Sequence, residues 1–169
     1  MKEEIVNIFG NRLRIRVCGI LVEANRVLLV LHKHLGPEGS LWAPPGGGME
    51  FGMTAAVNLE IEFREETGLE IRVKRFLFLN EFLSPPLHSI EMFFEVGKTG
   101  GTLLTGTDPE MTGKGQIIEK AAFLGKSDLQ SLPDLRLHEI ISFCREPRDL
   151  LKLSGFYFRG QKADFNGFN

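Results

Sequence analysis

The fold of this chain is decided by a glycine-rich turn and the helix that follows it, 46-GGGMEFGMTAAVNLEIEFREETGL-69. Three consecutive glycines leave backbone amides and carbonyls unshielded, so a phosphate or a metal ion can approach the main chain closely. Thr54 is a predicted N-cap, residues 55–66 are predicted to be helical, and Gly68 is a predicted stop signal. The stretch therefore predicts a ligand-accessible turn followed by a short helix.

Three glutamates crowd the end of this helix. Glu62, Glu65 and Glu66 are three and four positions apart, so helical geometry predicts that their side chains converge within one turn. Their mutual repulsion costs about 0.2–0.5 kcal/mol per pair, and the negative end of the helix dipole adds to it. A divalent cation, Mg²⁺ or Mn²⁺, is the predicted counterion because both prefer carboxylate oxygens. The alternative is a solvated acidic helix end, but Glu62 and Glu66 flank the apolar arc, where unpaired charge is expensive.

The rest of the chain predicts an α/β domain. Strands are predicted over residues 12–22, 27–31, 71–82, 89–96 and 120–124, a loop over residues 99–116, and a second helix over residues 135–145. In the first strand, Leu13, Ile15 and Val17 alternate with arginines, which is typical of a half-buried strand. Residues 5–9 could pair as a strand, and residues 160–169 are expected to be a loosely ordered tail. We predict one domain over residues 1–169, with a mixed sheet between helices.

Composition narrows the class of protein. The chain has 169 residues, a formal net charge of −2, 43% hydrophobic residues and 25% charged residues, as in an ordinary globular domain. No basic field favours a nucleic acid polymer as partner. There is no run of about 18 apolar residues and no apolar stretch behind Met1, so we expect no membrane span, no signal peptide and a cytoplasmic location. Cys18 and Cys144 lack metal-ligand spacing and are interpreted as reduced thiols.

The glycine turn and helix resemble the Nudix box, G-x5-E-x7-R-E-U-x-E-E-x-G-U, in which U is a bulky apolar residue. The box aligns from Gly47 to Leu69, and its ending matches Glu62, Phe63, Glu65, Glu66, Gly68 and Leu69. The preceding residues 42–46, WAPPG, resemble the usual approach to the box, and the order of strands and helices extends the resemblance over most of the chain. The resemblance implies a Nudix-like α/β/α sandwich.

Two positions depart from the box. Met53 stands where the box has its first glutamate, and Ile61 stands where it has its arginine. In the family these two residues usually pair, whereas the later glutamates hold the metal. A joint replacement by apolar residues can be neutral or better, although a single loss would leave one charge unpaired. We therefore hypothesise that Met53 and Ile61 touch and replace the ion pair by packing.

The resemblance also implies a reaction, the Mg²⁺-dependent hydrolysis of a pyrophosphate bond in a nucleotide-type small molecule. Glu62 and Glu66 would bind Mg²⁺ (or Mn²⁺) directly, Glu65 would be a ligand or the general base, and the Gly46 carbonyl would be a further ligand. The metal would lower the pKa of a bound water, and a carboxylate would remove its proton.

Further side chains are candidates for contact with the substrate. The predicted binding residues are Gly47, Gly48, Glu50 and Trp42, with core packing as the alternative for Trp42. Glu110 and Glu119 are candidates for a second base, and Phe82 and Phe93 for the pocket wall. Arg14 and Arg16 are candidates for phosphate contact, and His32 and His34 for a metal pair. For each of these residues the alternative is a surface or packing role.

The substrate itself is not readable from the sequence, because specificity comes from loops outside the box. ADP-ribose-like compounds, dinucleoside polyphosphates and nucleoside triphosphates all stay open. A catalytically weak nucleotide-binding module is the alternative function. An isomerase of prenyl diphosphates would need a cysteine in the glycine-rich region, which this chain lacks. The family often dimerises, and fourteen phenylalanines are compatible with a homodimer.

Overall fold

The computed structural model describes residues 2–105, 117–158 and 161–162. The helices are α1 (Lys2–Phe9), α2 (Ala55–Thr67) and α3 (Lys126–Ser131). The strands are β1 (Arg12–Ile20), β2 (Val22–Glu23), β3 (Arg26–Lys33), β4 (Ser40–Ala43), β5 (Gly46–Gly48), β6 (Leu69–Ser84), β7 (Leu87–Gly101), β8 (Ile118–Leu124), β9 (Gly155–Phe158) and β10 (Gln161–Lys162). Three 3₁₀ segments lie between α3 and β9, at Asp134–Arg136, Glu139–Phe143 and Pro147–Lys152.

The strands form two sheets. The larger has the order β10-β9-β6-β7-β1-β5, and the smaller joins β2, β4 and β8 to β3. The larger sheet is mixed, because β1 runs parallel to β7 and antiparallel to β5. The chain thus has the predicted α/β fold, a mixed sheet flanked by helices.

Strand β1 separates two apolar cores. Val17 faces a core built with Leu59 and Phe63 of α2, whereas Cys18 belongs to a core on the other side. The beginning of the strand differs from the prediction, since Leu13 is 59% exposed. The core beneath α2 starts at Val17, so the first residues of β1 extend beyond the part of the strand that α2 covers.

Both ends of α2 form as predicted. The Thr54 hydroxyl accepts a hydrogen bond from the Val57 amide at 3.3 Å, which satisfies a donor in the first turn. At the other end Gly68 has φ of +70° and donates its amide to the Arg64 carbonyl. A left-handed residue here favours glycine, so the helix ends at a fixed point before β6.

Two local predictions are wrong. Residues 135–145 do not form an α-helix, because the His138 amide donates to the Trp42 carbonyl at 2.8 Å and holds the chain extended between two 3₁₀ segments. The N-terminal segment is helical (α1) rather than a strand, and its Phe9 is buried against Ile117.

Within the described residues, no helix has the length and apolar character of a membrane span. Most of residues 99–116 and 160–169 fall outside the description.

Candidate active site

The glycine turn, whose three glycines form the short strand β5 beside β1, is held to α2 by Asn58, a buried side chain one turn into the helix. Asn58 Oδ1 accepts the Glu50 amide at 2.8 Å, and Asn58 Nδ2 donates to the Gly48 carbonyl at 3.2 Å. Gly46 has φ of +148°, and a Cβ there would overlap the Val17 carbonyl of β1. Only glycine fits so close to β1, so the turn is held between one strand and one helix.

Glu62 and Glu66 meet this turn from α2. Glu66 is 3% exposed, and its Oε2 accepts the Gly46 amide at 2.8 Å. Its Oε1 lies 3.6 Å from Nε2 of the buried His32. The Glu62 carboxylate occupies the space that a side chain at Gly47 would fill. Gly47 therefore leaves space for the Glu62 carboxylate, and the Gly46 amide binds the Glu66 carboxylate, so both lie at the wall of one cleft.

Glu65 differs from its two neighbours. It is half-buried and does not line the cleft that Glu62 and Glu66 line. In the described part of the chain, no three His, Cys, Asp or Glu side chains form a group that could hold a metal ion. The structure thus brings two of the three predicted carboxylates to the cleft, and the role of Glu65 as ligand or general base stays a prediction.

This donor set fits a magnesium ion whose coordination shell is completed by the substrate and water. Mg²⁺ is usually held by one or two carboxylates together with waters and substrate phosphates, rather than by a closed protein cage. Glu62 and Glu66 would supply the carboxylates, with the Gly46 carbonyl beside them. His32 Nδ1 is buried without a hydrogen bond, so the ring is placed by packing and by its approach to Glu66.

A second polar cluster forms the floor of the cleft around Glu91, which is 6% exposed. Glu91 Oε2 lies 3.0 Å from both Asn80 Nδ2 and His138 Nε2, and its Oε1 lies 3.7 Å from Arg16 Nε. Burial would raise the pKa of Glu91, but the attraction and hydrogen bond of His138, with Arg16 and Asn80, lower it to about 2. This charge is neutralised within the protein.

Sequence reasoning missed this cluster. Its members come from β1, β6, β7 and the 3₁₀ region, so no spacing connects them. One signal was available: Glu91 lies between Ile90 and Met92 in a predicted strand, where a buried charge needs a partner.

The cleft extends from the two carboxylates to α1 and the 3₁₀ region. Its volume is about 1350 Å³, above the range of about 300–1,000 Å³ usual for small-molecule sites, so it can admit an extended ligand. Arg14 lies over the Phe9 ring at 4.0 Å and joins α1 to the floor. The apolar residues of the lining include Phe9, Leu35, Phe82, Leu87 and Ile141.

Other predicted contacts lie elsewhere. Trp42 is 7% exposed and packs in the core with Phe93, so its placement supports the packing alternative and not stacking on a base. Gly48 and Glu50 are beside the cleft but do not line it, and Glu50 is exposed. Glu119 is exposed on β8. Glu110 lies outside the described residues.

The two cysteines are free thiols held in their protonated form. Burial raises the pKa of Cys18, and burial followed by the charge of Asp149 raises the pKa of Cys144 to about 12. A thiol is nucleophilic as its thiolate, so neither residue is prepared for nucleophilic chemistry at neutral pH.

Sequence comparison agrees with this geometry. The profile of the NUDIX domain matches residues 11–138. The ADP-ribose pyrophosphatase of Methanocaldococcus jannaschii is 33% identical over 130 residues, which cover 75% of this chain and 69% of that protein. The protein YjhB of Bacillus subtilis is 31% identical over 141 residues, which cover 78% of this chain and 62% of that protein.

Structure comparison gives the same fold. A NUDIX hydrolase from Nitrosomonas europaea superposes with a TM-score of 0.62 over 92% of this chain and 99% of its own, at 16% identity. The matched residues contain the glycine turn, α2 and the strands that carry the cleft floor. With its box, its profile match and its relatives in agreement, this chain belongs to the Nudix family of pyrophosphohydrolases.

Proposed function

We propose that this chain is a Mg²⁺-dependent (or Mn²⁺-dependent) enzyme that cleaves the pyrophosphate bond of a nucleoside diphosphate linked to another moiety. The observation that carries the proposal is the placement of Glu62 and Glu66 against Gly46 and Gly47 at the wall of one large cleft. ADP-ribose is the substrate we favour, because the relative from M. jannaschii bears the name of an ADP-ribose pyrophosphatase.

The residues of the chain divide the work. The bound ion would neutralise charge on the phosphates and lower the pKa of the attacking water. Glu62 and Glu66 would hold the ion, and Glu65 is our candidate for the base that would accept the proton of the water. The bare backbone at Gly47 lets phosphate oxygens approach the carboxylates and the ion.

The rest of the substrate lies along the cleft. The apolar side chains of Phe9, Phe82 and Leu87 supply surfaces that suit a nucleobase, whereas Arg14 and Arg16 supply positive charge for the phosphates. Dinucleoside polyphosphates and nucleoside triphosphates contain the same groups, so a substrate panel is needed to choose between them.

The test is a chromatographic assay of hydrolysis with Mg²⁺. ADP-ribose, a diadenosine polyphosphate and nucleoside triphosphates are incubated with the wild type and with Glu66→Gln. We expect cleavage of at least one compound, and a loss of about 10²-fold or more in the variant, because a negative charge that stabilises the transition state through the ion is removed.

The matched control is Glu60→Gln, which removes a carboxylate of the same helix that pairs with Arg72 outside the cleft. It should retain wild-type turnover. Full activity in Glu66→Gln would refute the assignment. Binding of the nucleotides without cleavage of any would favour the alternative, a nucleotide-binding module with weak or lost catalysis.

A further inference from the structure

Gly46 is contacted by opposite charges on the two sides of its backbone. Its amide donates to the Glu66 carboxylate at 2.8 Å, and its carbonyl oxygen accepts a hydrogen bond from Arg16 Nη2 at 3.1 Å. That carbonyl is the third oxygen we assign to the metal. A permanently charged guanidinium therefore lies beside an oxygen that a divalent cation would also use.

The two cations would oppose each other. An ion on the Gly46 oxygen would be within about 5 Å of the Arg16 guanidinium, given a metal–oxygen distance of about 2.1 Å. At that separation, between a unit and a double charge, the repulsion near a protein surface weakens binding of the ion by an order of magnitude or more. Arg16 thus disfavours the metal as long as it remains at this carbonyl.

A ligand can reach Arg16 while the other contacts of Glu91 stay in place. Its side chain is 24% exposed and lines the cleft, and guanidinium groups bind phosphate oxygens in a bidentate manner. If Arg16 turns towards a phosphate, Glu91 still has His138 and Asn80 at 3.0 Å. Glu91 therefore keeps both of its side-chain hydrogen bonds when the arginine changes partner.

We propose that Arg16 opposes the metal at the Gly46 carbonyl until a substrate phosphate takes up its guanidinium. Metal and nucleotide then bind cooperatively, because a bound phosphate takes up the charge of Arg16 that opposes the ion, and by linkage the ion strengthens nucleotide binding by the same factor. The inference rests on the proposed function, because it assumes the ion at Glu62 and Glu66. It adds a reason for the site to hold its ion most tightly when substrate is present.

The experiment titrates Mn²⁺ into the protein without nucleotide and follows the free ion by electron paramagnetic resonance. We expect Arg16→Gln to bind Mn²⁺ on the order of tenfold more tightly than the wild type, because one positive charge is removed from beside the ion. Arg16→Lys keeps the charge and should stay near the wild type. Arg14→Gln removes a charge two positions before Arg16 on β1 and should have the smaller effect.

A second titration includes α,β-methylene-ADP, whose bridging carbon prevents cleavage between the phosphates. This probe should tighten Mn²⁺ binding in the wild type more than in Arg16→Gln, by the same factor that separates the two proteins without it. Arg16→Met, which keeps an apolar stem, replaces Arg16→Gln if thermal melting in chelator shows that the glutamine variant is unfolded.

The outcomes separate the two claims. Mn²⁺ binding that is equal or weaker in the charge-removing variants overturns the role of Arg16, and leaves the proposed function standing if turnover is retained. An absence of both Mn²⁺ binding and turnover in the wild type overturns the proposed function and this inference with it.

Discussion

Glu66 and Glu91 are two glutamates buried in the same cleft, 3% and 6% exposed, yet their charges are balanced differently. Glu91 is surrounded by Asn80, His138 and Arg16. Glu66 receives one backbone hydrogen bond, and its other oxygen has a histidine at 3.6 Å. Burial alone therefore does not identify a ligand. Glu66, held by a backbone amide, is the candidate for metal binding, whereas Glu91, held by two side-chain hydrogen bonds, stabilises the floor of the cleft.

The comparison predicts a large loss of stability for one glutamate and a small change for the other. Glu91→Gln should lower the free energy of unfolding by about 3 kcal/mol, because it removes one member of a buried charged cluster. Glu66→Gln should change it by less than about 1 kcal/mol, since the glutamine oxygen can still accept the Gly46 amide. Chemical denaturation at pH 7 with chelator measures both. Equal losses in the two variants would show that the difference in partners has no energetic meaning.

Acid should expose the same difference. The pKa of Glu91 is lowered from 4.5 to about 2 in the folded protein, so its contribution is complete above pH 4.5 and is lost as pH falls towards 2. The loss should approach about 3 kcal/mol over that range. The free energy of unfolding, measured by denaturation between pH 5 and pH 2, should therefore fall less steeply with falling pH for Glu91→Gln than for the wild type. A slope unchanged in the variant would assign the acid sensitivity to other groups.

A smaller effect is expected when the Glu62 side of the site is disturbed. The Cβ of Gly47→Ala would overlap the Glu62 carboxylate, which can swing away because it ends a flexible side chain. We expect Mn²⁺ affinity to fall by about tenfold while the unfolding free energy changes by less than about 1 kcal/mol. Gly125→Ala is the matched control, since an added Cβ there meets only ordinary contacts, at 3.5 Å and beyond. If Gly47→Ala binds Mn²⁺ normally, Glu62 does not need its present position.

The smallest effect concerns the two positions that depart from the Nudix box. Met53 and Ile61 are both half-buried, and whether they touch stays a prediction. Ile61→Arg should destabilise the protein by about 1 kcal/mol, because it places an unpaired charge at the edge of an apolar contact. Adding Met53→Glu should restore the stability by supplying the family's usual partner of the arginine. Single and double variants that melt at the same temperature would contradict the packing hypothesis.

What could be predicted from the sequence is what is local in the chain. Thr54, Gly68 and the spacing of Glu62 and Glu66 lie within 15 residues, so helix geometry alone brings the two glutamates to one side. Glu65 does not line the cleft, so its role as ligand or general base stays a prediction.

The remainder depends on contacts between distant segments. The floor of the cleft needs Asn80, Glu91 and His138, which three separate elements bring together. The predicted helix over residues 135–145 failed for a related reason, since one hydrogen bond from His138 to the Trp42 carbonyl outweighs local helical preference. Contacts with distant parts of the chain decide the secondary structure of such a segment, and the periodicity of its apolar residues does not reveal those contacts.

The parallel pairing of β1 with β7 has a consequence for how the enzyme is made. It joins residue 12 to residue 87, with the glycine turn and all of α2 in the interval. Closing so long an interval costs chain entropy before any contact repays it. During synthesis the glycine turn and α2 emerge before β7, so we expect the candidate active site to be completed only after β7 has left the ribosome.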